Sequence, residues 1–198
     1  LFLFLKNTAF VIAADDAMIK HAVRKHFGDI QDENLVLSYF DKLIQIPIRV
    51  PPLGTQEVRA YMMLLFVDNS PLQSTEKEDI RAKVCIQLQQ TWRGKRVDRA
   101  FMLTLHPHLP PDLLSQLDTA DRLAPLMTSA SQIAGNPRLI KRFLNALSIR
   151  MAVARAHGVG IDEAVLAKLM LFERCGDQDA YAALMKAINE DEEGKPRF

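Results

Sequence analysis

Apolar residues recur in two different rhythms along this chain, and the change comes near Pro52. Residues 9–14, AFVIAA, form a short uninterrupted apolar run, the pattern of a strand buried on both faces. The run stops at Asp15-Asp16, after which Ala17, Met18, Ile19, Ala22, Val23 and Phe27 return at helical spacing. Asp16 is the expected N-cap of that helix and Gly28 its expected stop. A short helix is expected over 35–42. The stretch LIQIPIRVPP then alternates, with Ile44, Ile46, Ile48 and Val50 on one face and Gln45, Pro47 and Arg49 on the other. That is the period of a strand, and Pro47, which cannot donate to a ladder, puts it at a sheet edge.

After Pro52 the rhythm is helical throughout. Helices are expected over 56–67, 76–92, 111–117, 119–133, 137–157, 161–173 and 178–188, punctuated by Pro71, Ser74-Thr75, Pro107, Pro110-Pro111, Gly135-Asn136-Pro137, Gly158 and Gly160. The pattern therefore predicts an α/β part followed by an all-α part. Three stretches are expected: a distal α/β core over 1–52, a helical region over 53–157, and C-terminal helices with a charged tail over 158–198.

Composition changes this picture little. The chain has 198 residues, 48% of them hydrophobic and 25% charged, enough to build a sizeable core. Its net charge of +1 offers no global field toward nucleic acid or an anionic membrane, so any basic function must be local. Cys85 and Cys175 have no metal-ligand spacing around them and are expected to be free thiols in a reducing compartment. The opening LFLFL is far shorter than the ~20 apolar residues of a membrane span. It reads as the end of an element that began earlier, so the chain is expected to be part of a longer protein.

Candidate chemistry is sparse. His106-Pro107-His108 lacks the acidic or cysteine neighbours of a metal site, and His21 and His26, five apart, do not share a helical face. With eight glycines and no G-x-x-x-x-G-K-[ST] frame, the sequence contains no phosphate-cradling loop. Trp92, Arg93, Lys95 and Arg96 form a basic patch with one aromatic; the near-neutral overall charge favours a solvated helix end over a nucleic-acid contact. Asp15-Asp16, at the carboxyl end of the expected strand, stands where open α/β sheets hold their ligands, and equally where a helix needs a cap. The stretch GNPRLIKRFLNAL starts a helix with Pro137 and lays Leu139, Ile140, Phe143, Leu144, Leu147 and Met151 along one stripe. Arg138, Lys141 and Arg142 lie off it, Arg138 and Arg142 one turn apart. By itself the stretch fits both a solvated basic face and an anion-binding one.

Taken in order, FVIAADDAMIKHAV, YFDKLIQIPIRVPP and GNPRLIKRFLNAL resemble the KAP family of P-loop NTPases, whose core layout is similar to that of AAA+ and STAND ATPases. The likeness runs from about residue 9 to residue 147 and is weak beyond residue 150. It implies the C-terminal part of a P-loop NTPase core with a helical lid, which binds and hydrolyses ATP with Mg²⁺ in the full-length protein. That hydrolysis would be coupled to a protein partner or to a conformational switch, and an oligomer is a further expectation. The rival reading of the residues is a non-catalytic helical module for interaction or nucleic-acid binding. The resemblance implies three roles: Asp15 as a sensor-like catalytic residue; Arg138, with Arg142, as the lid's contact to the nucleotide phosphates; and Lys42 as a basic residue offered to a neighbour's nucleotide. The Walker A lysine loop and the Walker B acidic pair do not occur in the sequence; the resemblance implies that they precede Leu1. A cytoplasmic setting is expected, and bacterial relatives imply a link to phage defence.

Overall fold

The computed structural model describes residues 6–26 and 33–192, and among these the regular structure is helical. The chain divides into two compact units, Leu1–Val50 and Pro51–Phe198. The first contains α1 (Asp16–His26) and α2 (Glu33–Leu43), which pack on each other. The second contains α3 (Thr55–Asn69), α4 (Ser74–Leu88), a 3₁₀ turn at Thr91–Arg93, α5 (Arg99–Leu105), α6 (Pro111–Ser129), α7 (Pro137–Ala156), α8 (Glu163–Cys175) and α9 (Gln178–Glu190).

The expected α/β architecture is corrected by the structure: no strand occurs among the described residues. Residues 9–14 and 44–50 are irregular, and apart from the half-buried Ile44 their apolar residues are exposed, Val11 at 98% and Val50 at 90%. The physical reason is pairing. A strand exists only through a ladder with a neighbour, and neither segment finds one among the described residues. Their sequence pattern states a preference that nothing here fulfils. The cap of α1 is also corrected. Asp15, not Asp16, precedes the helix: its carboxylate accepts the Met18 N–H at 3.2 Å and its carbonyl accepts the Ile19 N–H at 3.0 Å. Gly28, the expected stop, lies outside the described residues.

The helical part follows its sequence rhythm closely. The largest packing surface joins α3 to α6. Val58, Ala60, Met62, Met63, Phe66 and Val67 of α3 are buried, which leaves that helix apolar on several faces because α4, α6 and α7 all pack on it. Opposite it, Leu113, Leu117, Ala120, Leu123, Ala124 and Met127 of α6 complete the core. In the stripe of α7, Ile140, Phe143, Leu144, Leu147 and Met151 are buried as expected, and Leu139 packs half-buried against the core. Two helices expected over 111–117 and 119–133 are one, α6, since Asp118 does not interrupt it. α5 was not legible as a period because it spans only two turns, yet Asp98 announces it by accepting the Phe101 N–H at 2.9 Å.

A half-buried ionic junction ties α3 and α6 to the start of α5. Arg59 Nε stands 2.9 Å from Asp121 Oδ1, and Asp121 Oδ2 accepts the Arg99 backbone N–H at 3.1 Å. Burial pushes the Asp121 carboxyl above its usual range, against the opposite pull of the Arg99 N–H and the Arg59 charge.

Candidate functional site

The start of α7 is the most closely specified part of the candidate site. After α6 the chain turns through Ala130–Asn136, with Ile133 anchored in the core at 1% exposure. The Gly135 N–H donates to the Met127 carbonyl at 3.1 Å, and Gly135 adopts the left-handed conformation, φ +66°. A β-carbon on Gly135 would stand 2.2 Å from the Leu53 carbonyl oxygen, so only glycine fits. Asn136 then caps the helix, its Oδ1 accepting the Arg138 and Leu139 N–H groups at 3.0 and 3.4 Å, and Pro137 opens the first turn. The contact fastens the PPLG and GNPR stretches to each other, so α3 and α7 begin from one junction. Sequence reading missed this, although a glycine ahead of an Asn-Pro cap, which the cap itself does not need, was its signal.

Electrostatics differ between the two helix starts. On α3 the carboxylate of Glu57 folds back over Gly54, supplying the negative charge that a helix N-terminus favours. The first turn of α7 has no acidic residue. Instead Arg138, Lys141 and Arg142 are exposed there, and among the described residues no carboxylate pairs with them. Arg138 and Arg142 are one helical turn apart, within reach of the same anion.

The remaining candidates belong to the first unit. Asp15 is exposed and caps α1, while Lys42 lies exposed in the last turn of α2, where a cation meets the negative end of the helix dipole. The structure thus brings Arg138 and Arg142 together on one helix and places Asp15 and Lys42 at the ends of two others.

His106, Cys85 and Cys175 form no cluster of metal-ligating side chains, and none occurs among the described residues. Cys85 and Cys175 are free thiols. His106 Nε2 is instead 3.1 Å from Glu76 Oε1, and Glu76 Oε2 accepts the Gln73 N–H at 2.8 Å, closing the capping box of α4. The Gln73 N–H and then His106 hold the Glu76 carboxyl below its usual range. A lowered folded value means stability that is present above the unfolded carboxylate range and lost as pH falls through the folded value. Glu76→Gln should therefore be less stable at neutral pH, with the difference closing as the medium is acidified. Urea melts of both proteins from pH 7 downward check this, and a constant gap would contradict it.

A ligand set for Mg²⁺ and a cradle for phosphates are not offered by these residues; what they fit is an anion at the start of α7. Among the described residues, no helix is long and apolar enough to cross a membrane. No curated protein and no solved structure matches the chain. The profile described as the KAP family P-loop domain matches residues 1–154, well over half of the sequence. On that match, and with the motif order that first indicated it, this chain belongs to the KAP family of P-loop NTPases.

Proposed function

We propose that this domain reports the phosphate state of a nucleotide in an ATP-hydrolysing protein, through Arg138 and secondarily Arg142 at the start of α7. The observation that carries the reading is a basic helix start, locked in place by Gly135, Asn136 and Pro137, in a chain of a P-loop family. The peptide dipole and two guanidinium groups favour an anion there, and a guanidinium matches the paired oxygens of a phosphate. With a triphosphate bound, the charge of Arg138 is neutralised; with the γ-phosphate gone, the helix start is left with excess positive charge. Movement of α7 and of the helices packed on it would pass that difference to a partner or to another copy of the protein.

The sequence has no G-x-x-x-x-G-K-[ST] frame, so this reading assigns the phosphate cradle and the Mg²⁺ ligands to another part of the full-length protein. Mg²⁺ would there neutralise phosphate charge, while Arg138 and Arg142 orient the outer phosphates. Lys42 is a weaker candidate for a charge offered to a neighbouring protomer, because an ammonium lacks the planar fork of a guanidinium. Nucleotide affinities of Arg138→Ala in the full-length protein test the reading.

For Asp15 the sensor role has a specific competitor in the hydrogen bond to Met18. A sensor acts mainly in the transition state, so Asp15→Ala should slow turnover more than it weakens nucleotide binding. A residue that only caps α1 would instead cost about 1 kcal/mol of stability and leave turnover per folded molecule unchanged. Thermal melts measured beside turnover separate the two.

A further inference from the structure

Trp92 is the single tryptophan of the chain, and it stands 76% exposed. Tryptophan carries one of the largest apolar surfaces among side chains, and so much exposure to water calls for an explanation. The ring sits on the 3₁₀ turn Thr91–Arg93 that follows α4, and every residue from Trp92 to Arg96 is exposed. Three of the five are cations. The Arg93 guanidinium lies over the indole, 4.5 Å from the ring centroid. Among the described residues, no carboxylate pairs with Arg93, Lys95 or Arg96.

The tip is also rigidly built. The Arg93 N–H donates to the Gln90 carbonyl and the Gly94 N–H to the Thr91 carbonyl, both at 2.9 Å, and the Thr91 hydroxyl donates to the Leu88 carbonyl at 3.0 Å. Gly94 turns the chain in the left-handed conformation at φ +80°, with open space where a β-carbon would point. The Gln87 amide donates to the Arg96 carbonyl at 3.1 Å, and Val97, fully buried, returns the chain to the core. The backbone that carries the aromatic ring and the three cations is therefore set before any partner arrives, which reduces the backbone entropy lost on binding.

We propose that the Trp92–Arg96 tip binds single-stranded nucleic acid, a base stacking against Trp92 while Arg93, Lys95 and Arg96 meet the adjacent phosphates. Stacking uses the face of any base, and the cations follow the backbone, a pairing that suits single strands. An acidic peptide would engage the cations and leave the ring unused. A membrane surface would need more apolar side chains beside Trp92, whereas Gln89, Gln90 and Thr91 connect it to α4. The near-neutral net charge supplies no global attraction, so the tip's share of the salt dependence is read from what the slope loses when its own cations are removed. This inference is independent of the nucleotide reading, for it rests on a different surface.

The test uses the full 198-residue chain and an oligothymidylate of about twelve nucleotides. Because Trp92 is the only tryptophan, its fluorescence reports the contact directly, and it should be quenched to saturation at low salt. Trp92→Ala should bind a labelled oligonucleotide about tenfold more weakly by anisotropy, with its melting temperature unchanged. Lys95→Ala with Arg96→Ala should reduce the slope of log affinity against log salt by about 1.4, two phosphate contacts on a single strand. Absence of binding at low salt, or binding that Trp92→Ala leaves intact, overturns the proposal. So does a blue shift of Trp92 on phosphatidylserine vesicles with no response to the oligonucleotide, which would make the tip a membrane contact.

Discussion

Gly135→Ala should lower stability by about 3 kcal/mol, far more than an alanine in a surface turn usually costs. Two effects add. Alanine in the left-handed region costs roughly 1–2 kcal/mol, and Gly135 holds φ +66°. The new β-carbon would also lie 2.2 Å from the Leu53 carbonyl oxygen, which is backbone and cannot swing aside as a flexible side chain would. The junction from which α3 and α7 begin would have to open. Gly94→Ala is the matched control, since Gly94 has φ +80° and nothing within 4 Å of its β-carbon position. It should lose only the conformational part, about 1 kcal/mol. Urea denaturation of both variants measures the difference. Equal losses would mean that the Leu53 contact adds nothing and that the start of α7 is not locked in the way described.

What the sequence disclosed depended on how local the cause was. The α7 stripe, its Pro137 start and the boundaries near Pro71 and Pro111 follow from residues a few positions apart, and they were legible. The strands expected at 9–14 and 44–50 were misjudged for a physical reason. Alternation and apolar runs record a side-chain preference, but a strand is made by a neighbour, and none pairs with them among the described residues. The Asp15 cap was misplaced by one residue because two adjacent aspartates offer the same chemistry. The Gly135–Leu53 approach joins residues some eighty positions apart. No local pattern could state that partner, only that a glycine was present. The exposure of Trp92 agrees with the solvated helix end expected there, for its cationic neighbours were visible in the sequence; the 3₁₀ turn that carries the ring was not. The candidate site was thus half visible: the arginines and their spacing were in the sequence, the Leu53 contact that fixes the turn before them was not.

Arg138→Ala carries the largest functional effect expected here. A charge-assisted contact to phosphate contributes roughly 1.5–3 kcal/mol, so its loss should weaken ATP by about 10- to 100-fold. If that contact is made to the terminal phosphate, ADP affinity should stay within about twofold, and hydrolysis should slow. Lys141→Ala, three residues along the same helix, removes an equal charge at the surface and should alter neither. Arg142→Ala should fall between them, since its guanidinium starts four residues, about 6 Å, further from the helix start. General electrostatic attraction would respond to all three substitutions alike; a placed phosphate contact responds to position. The decisive measurement is the ratio of ATP to ADP affinity in the full-length protein, wild type against Arg138→Ala, by calorimetry in the presence of Mg²⁺. The account predicts that the preference for ATP falls by about tenfold or more while Lys141→Ala retains it; an Arg138→Ala protein with unchanged preference and normal turnover would contradict it and leave the basic start of α7 a solvated surface.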